Sequence, residues 1–470
     1  MSDILHALSQ VVGQANVITG ADCQPFETDW RKRETGKALC VVRPGSTDEV
    51  AQIVRCCAQH GVSLVPQGGN TSMVVGAIPN AQGEQVVLSL QRLNRIRHID
   101  SANATITADA GVVLQNLQTA VAEQGFLYPL SLGSEGSCTL GGNLSTNAGG
   151  TQVVRYGNTR ELCLGLEVVT ADGEVWHGLS GLRKDNTGYD LRDLFIGAEG
   201  TLGIITAATM KLFPAPQCQL TAWASVASVH DAVRLLELSR QRLNAGLTGF
   251  EMMNQFSLSL VHKHFPERQV PLWETSPYCV LMELSDMESE AHARQALEAL
   301  LEQAIEDGLV ADAIVAESLQ QAQNLWLIRE NITLAQAQEG LNIKHDISLP
   351  VSAIAEFCEH TDAALAREIP GVRLVNFGHL GDGNLHYNVQ CPVDVPHQVF
   401  LQTEEARVNT LVHDAVKRFD GSISAEHGIG SLKVDSLPKY KDPVALGLMR
   451  RIKQALDPQG VLNPGRVVRP

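Results

Sequence analysis

Two histidines on a short spacing, and a glutamate beside a third, give this 470-residue chain the residue types of a metal-assisted acid–base site. In LVNFGHLGDGNLHYNV (374–389), apolar runs flank a Gly-Asp-Gly turn, so the spacing predicts a hairpin with His379 and His386 on facing strands. Two imidazoles are then preassembled. Asn388 lies two residues beyond His386, and the period of two puts both side chains on one face. Further on, SAEHGIG (424–430) supplies Glu426 and His427 beside small residues, where backbone can approach a ligand closely. Neighbours in a strand point apart, so both can act only if this pair sits in a turn. Two histidines and one carboxylate leave coordination positions open, the arrangement expected of catalytic zinc or a similar divalent ion such as manganese. Such an ion polarises substrate oxygens, and His427 is the candidate catalytic base.

Two further groups could hold an anionic substrate. On the predicted helix LWLIRENITLA (325–335), Arg329 and Thr333 are four apart and share a face, so both can reach one carboxylate. Lys344 sits in LNIKHDISLP (341–350), a predicted strand, where an internal cation among apolar residues calls for an anionic partner.

Three glycine-rich stretches suit a phosphate-bearing ligand: QGGNTSMVVG (67–76), LGSEGSCTLGGNLSTNAGG (132–150) and the small-residue part of LFIGAEGTLGIIT (194–206). Loops this rich in Gly, Ser, Thr and Asn offer clustered backbone N–H groups that can hold a diphosphate without arginine. Neither of the two long loops reads G-x-G-x-x-G between a strand and a helix, and G-x-x-x-x-G-K-[ST] is absent, so dinucleotide-fingerprint and P-loop readings fail.

The elements that must position these groups divide the chain. Before residue 216, helices and strands alternate: Ser46 and Glu49 suggest a capping box for a helix whose apolar face is Val50, Ile53, Val54 and Cys57, ending at Gly61. The strand VSLVP follows, and Asp172–Gly173 reads as a two-residue hairpin. After KLFPAPQ (211–217) come strands such as YCVLMEL and helices such as SEAHARQALEALLEQAIEDG, without further long glycine loops. The reading is an α+β protein with domains 1–215 and 216–425, and a segment 426–470 that returns to the first. Ten scattered cysteines without a C-x-x-C pair argue against zinc ribbons and iron–sulfur clusters. A formal charge of −16 argues against nucleic acid. No apolar run is long enough to span a bilayer, and MSDILHALSQVVGQ has neither a secretory nor a transit pattern, so a cytoplasmic protein, at most peripheral to the inner membrane, is expected.

The strings PQGGNT, GGNLSTNAGG, RYGNT, LRKDNTGYDLRDLFIGAEGTLGIIT, GHLGDGNLHYNV and SAEHGIG resemble, in order and over nearly the whole chain, the FAD-dependent D-2-hydroxyglutarate and D-lactate dehydrogenases of the vanillyl-alcohol-oxidase flavoprotein superfamily. The resemblance implies a two-subdomain PCMH-type FAD-binding domain and a cap, or substrate, domain with an antiparallel sheet flanked by helices. It places FAD against Pro66, Gly68, Gly69, Asn70, Thr71, Leu132, Gly133, Gly142, Ser145, Asn147 and Gly149; with no His or Cys in either loop's core motif apart from Cys138, the FAD is expected to be held without a covalent bond. Gly200 and Ile205 would meet its adenine or isoalloxazine side, and Asn463 would lie near the flavin ring. The chain departs from the family at Ser72 and Val75, where glycine is usual. The metal ligands implied are His379, His386 and Glu426, with Arg329, Thr333, Lys344 and Asn388 binding substrate. A lysine at the place of Lys344 goes with a distal carboxylate, which favours D-2-hydroxyglutarate or D-malate over D-lactate as the small-molecule substrate.

Without an NAD motif, electrons are expected to leave to an electron-transferring flavoprotein or the quinone pool, and a homodimer is an admissible assembly. Competing readings are a D-lactate- or glycolate-oxidising subunit of a larger complex, and a non-redox metal protein whose loops bind a nucleotide for stability.

Overall fold

The computed structural model describes residues 2–469, which form two compact units. The first comprises Met1–Gly149, Asn158–Ala215 and Glu426–Pro470; the second comprises Gly150–Gly157 and Pro216–Ala425.

Two sheets build the first unit. One has the strand order Val17–Ile18, Ala38–Val42, Gln85–Ser89, Leu64–Gln67, with the last three parallel. Parallel strands need a crossover, and the helix Thr47–Gln59 supplies it, burying Val50, Ile53, Val54 and Cys57 among Cys40, Val42, Leu64 and Val86. Ser46 caps this helix by accepting from Glu49 N, but the Glu49 carboxylate reaches one residue further back than a capping box requires, to Gly45 N at 2.7 Å. The second sheet is antiparallel, in the order Ile96–Asp100, Thr105–Asp109, Ile204–Lys211, Cys163–Val169, Val175–Gly178. The hairpin at Asp172–Gly173 is longer than the expected two residues. Thr170 N donates to Glu174 O, so three residues turn the chain, and Gly173 takes the left-handed conformation (φ 72°) that such loops need. The strand Leu64–Gln67 also bridges Leu462, in the segment Glu426–Pro470 of the same unit.

The second unit is an antiparallel sheet in the order Asp312–Val315, Cys218–Val226, Tyr278–Asp286, Leu247–Asn254, Arg373–Gly378, Asn384–Gln390, Asn342–Ile343, with Asp346–Ser348 also pairing Asn384–Gln390. Trp223, Met253, Cys279, Leu281 and Phe377 pack under the helices Gln255–His264 and Leu319–Glu339. Val280, Met282 and Leu284 alternate with these and are buried too, so both faces are covered. The helix Val153–Tyr156 belongs here although its neighbours in sequence are in the first unit: it packs on Leu247–Asn254, and Val154 lies against Gly381. All ten cysteines are free.

Tyr387 shows the sheet's period of two. It points opposite to His386 and Asn388, and its hydroxyl donates to Asp362 on the helix Ile354–Glu368. Burial pushes the Asp362 carboxyl up to about 6, against the lowering effect of that hydroxyl. A carboxyl raised on folding loses stability as pH rises from its unfolded pKa through the folded one. Asp362→Asn is therefore expected to stabilise the protein by of order 2 kcal/mol at pH 8 and by nothing below pH ~4, read from urea midpoints at both pH values. Equal effects at the two pH values would refute it.

Candidate active site

In the second unit, the hairpin closes one residue earlier than its spacing suggests. The strand ends at Gly378, so His379 stands at the start of the turn, whereas His386 is in the facing strand opposite Phe377. Gly378 is the cause: a Cβ there would lie 2.5 Å from Asn384 O, and its φ of 154° turns the chain out of the ladder. The two rings still meet edge to face, 5.5 Å apart. His386 Nδ1 is 3.9 Å from Asp346 Oδ1, and Asn384 Nδ2 donates to that same oxygen at 3.0 Å.

His379 Nδ1 is 2.6 Å from Glu251 Oε1, and Arg329 Nε donates to Glu251 Oε2 at 2.7 Å. The Arg329 guanidinium also lies over the Phe377 ring, 4.7 Å from its centre, so its plane is fixed from two sides. Burial pushes the Glu251 carboxyl up, but His379 and Arg329 outweigh it and hold the group at about 2. Thr333 follows Arg329 by one turn on the helix Leu319–Glu339 and is partly buried. One turn further, Gln336 Oε1 accepts from both Asn388 Nδ2 (2.9 Å) and Asn342 Nδ2 (3.0 Å), while Asn388 Oδ1 accepts from His345 N. The predicted strand around Lys344 is broken: Asn342–Ile343 and Asp346–Ser348 pair with the same partner, and Lys344 and His345 lie in the gap between them. The break follows from the bond between His345 N and Asn388 Oδ1, which takes that N–H off the backbone ladder.

In the first unit the three glycine-rich loops converge. A Cβ on Gly68 would come within 2.4 Å of Thr139 Oγ1, and one on Gly69 within 2.0 Å of Ser137 O, so only glycine lets the first loop rest on the second. Asn70 takes the left-handed conformation (φ 53°) and donates from Nδ2 to Thr28 O; Thr71 beside it is partly buried. Thr139 caps the helix Leu140–Thr146, which carries Gly142 and Ser145, and Asn147 ends it in the left-handed conformation. Glu199 N and Gly197 N donate to Ser145 O and Leu144 O, which brings in the third loop, and Gly200 abuts Pro66. Gly149 and Ile205 are buried, Gly133 is exposed, and Leu132 N donates to Glu135. Val75 takes φ 59°, strained for a β-branched residue. Ser72 offsets part of this by accepting from Val74 N and Gly76 N. Cys138 is buried and its thiol is pushed up by burial.

Asn463 tests whether this cradle suits a flavin. It is buried, and its Nδ2 donates to Gly76 O and Glu199 O, but its Oδ1 has no protein donor. A buried acceptor in that state calls for an N–H from a ligand, which the flavin imide can supply. Together with loops rich in backbone N–H groups, the residues fit FAD.

Two carboxylates that sequence reasoning passed over organise these sites. Glu251 is one; Glu199, in the third loop, is the other. Burial raises the Glu199 carboxyl even though Ile429 N (2.6 Å) and Gly430 N (2.8 Å) both donate to it. Those bonds pin the loop that carries His427, whose backbone bends through residues 425–427 as its pairing with Glu426 requires. The readable signal was a single charge in an otherwise small or apolar run, IGAEGTLG and LTGFEMM.

Residues 38–178 match the family "FAD binding domain", and residues 215–467 match "FAD linked oxidases, C-terminal domain". The fold is shared with p-cresol methylhydroxylase (TM-score 0.77, 17% identity, 99% of this chain and 96% of that one) and with alkyldihydroxyacetonephosphate synthase (TM-score 0.72, 16% identity, 99% and 84%). Fold and cradle define an FAD-dependent oxidoreductase. Among relatives, the mitochondrial D-2-hydroxyglutarate dehydrogenase of Bos taurus is 38% identical over 99% of this chain and 83% of its own. The D-2-hydroxyglutarate dehydrogenase of Xanthomonas citri is 40% identical over 95% and 93%. The chain belongs to the D-2-hydroxyglutarate dehydrogenase family of FAD-linked oxidases. Among the described residues, no helix is long and apolar enough to cross a membrane.

Proposed function

We propose that this protein oxidises D-2-hydroxyglutarate, and more slowly D-malate, to the 2-oxo acid, using FAD and a divalent ion, zinc or manganese. The observation that carries this reading is the pairing of His379 and Arg329 on the Glu251 carboxylate, which sets a candidate metal ligand next to a candidate carboxylate clamp. His379, His386 and Glu426 would hold the ion. Ala425, the residue before Glu426, donates its N–H to Asp346 O beside the histidines. When bound, the ion supplies Lewis-acid polarisation of the substrate's hydroxyl and carboxylate oxygens. FAD, held by the glycine-rich loops and Asn463, would supply the two-electron acceptor for the C2 hydride, at flavin N5. Arg329 and Thr333 hold the C1 carboxylate, Asn388 keeps the site's edge in register, and Lys344 receives the distal carboxylate. His427 takes the hydroxyl proton as the C2 hydrogen leaves with its electron pair, so the substrate loses one proton and one hydride, two hydrogens and two electrons in all. Electrons then pass to an electron-transferring flavoprotein or a quinone.

The reading is tested by adding D-2-hydroxyglutarate anaerobically to the yellow protein and following loss of flavin colour. No bleaching with any D-2-hydroxy acid would sink it. For specificity, Lys344→Met is expected to lower kcat/KM for D-2-hydroxyglutarate by about 10–100-fold, the worth of one charge-assisted contact, with D-lactate turnover little changed. Equal losses on both acids would remove Lys344 from the distal carboxylate.

A further inference from the structure

Resting on that reading, we infer that Glu251 is a positioning residue that couples the metal site to the carboxylate clamp, setting metal affinity and substrate affinity through one side chain. Glu251 stands in the strand Leu247–Asn254, fully buried, opposite Leu281. A carboxylate in such a place is costly unless both oxygens are paired. Both are: one faces the His379 ring, the other the Arg329 Nε–H.

Each pairing has a chemical consequence. An anionic acceptor at Nδ1 keeps the proton of His379 on that nitrogen, which leaves the Nε2 lone pair as the donor to a metal and raises its basicity. Holding Arg329 by Nε, with Phe377 against its face, leaves the Nη edge of the fork as the part available to a substrate carboxylate. The same negative charge also offsets a guanidinium placed next to a divalent ion, a juxtaposition that repels without it.

The amide isostere separates this role from simple packing. Glutamine keeps the shape, but its one oxygen can accept from His379 or Arg329, not both, and its NH2 then faces the other partner's N–H. Flavin-loaded Glu251→Gln is therefore expected to show a wild-type flavin spectrum with zinc affinity about 10–100-fold weaker, measured by competition with a chromophoric chelator. At saturating zinc, KM for D-2-hydroxyglutarate is expected to rise about tenfold or more, with kcat changed less. Zinc affinity and KM within about twofold of wild type overturn the coupling, even if the melting temperature falls, because a purely structural role moves only the latter.

If Glu251→Gln yields no folded protein, Arg329→Met carries the test. Arg329 is not among the proposed ligands, yet its loss is expected to shift zinc affinity by about fivefold or more through Glu251; a shift below about twofold overturns the coupling. Wild-type protein with no affinity for zinc or manganese would instead sink the metal reading, and the coupling with it. Tight wild-type binding that survives unchanged in the variant overturns the coupling alone.

Discussion

Removing the divalent ion from the flavin-loaded protein is expected to slow its reduction by D-2-hydroxyglutarate by about 10³-fold or more, while the flavin stays bound. The magnitude follows from the several kcal/mol by which a divalent ion stabilises charge developing on a substrate oxygen, at about 1.4 kcal/mol per factor of ten. Flavin should survive because its cradle is built from glycine-rich loops and Asn463, none of which is among the proposed ligands His379, His386 and Glu426. The measurement is stopped-flow bleaching before and after dialysis against a chelator, then with zinc or manganese restored. Full-speed bleaching by metal-free protein would exclude a catalytic ion, and loss of flavin on chelation would show that the two sites are not independent.

Replacing His427 by glutamine is expected to lower kcat by about 10²–10⁴-fold, the usual worth of a positioned general base. Zinc and flavin contents should stay at wild-type levels, because neither the cradle nor the proposed ligand set includes this side chain. A base must be unprotonated to act, so wild-type kcat/KM is expected to fall toward acid pH, and that limb is expected to flatten in the variant. A variant that keeps both the rate and the limb would assign the proton transfer elsewhere. Glu199→Gln gives a useful contrast, since it leaves His427 in place but weakens the two N–H bonds that hold its loop.

Much of this site is legible in the sequence because its parts are local. A glycine whose Cβ would strike backbone, as at Gly68 and Gly69, has no substitute, so the loops announce themselves by composition. The spacing of Arg329 and Thr333 requires only that a helix form, and the helix Leu319–Glu339 does. What the sequence hides is partnership across distance. Glu251 meets His379 from 128 positions away, and nothing in either segment names the other. The same holds for the break at Lys344, where an amide from the neighbouring strand captures His345 N in place of regular pairing. The helix Val153–Tyr156 is hidden for a similar reason: contiguity in the chain points to the first unit, but the strand it packs on, Leu247–Asn254, arises about a hundred residues later.

The return of the chain at Leu462 and Asn463 sets a schedule for biosynthesis. Asn463 closes on Gly76 and Arg466 on Ile78, across 387 and 388 positions respectively. At roughly 5–20 residues per second, a ribosome spends on the order of 20–80 s between making the first partner and the second. Throughout that interval the nascent nucleotide cleft lacks the residues that clamp its strand Leu64–Gln67 and span Gly76 and Glu199. A flavin that depends on the Asn463 contacts can therefore be fully enclosed only after these last partners have been made.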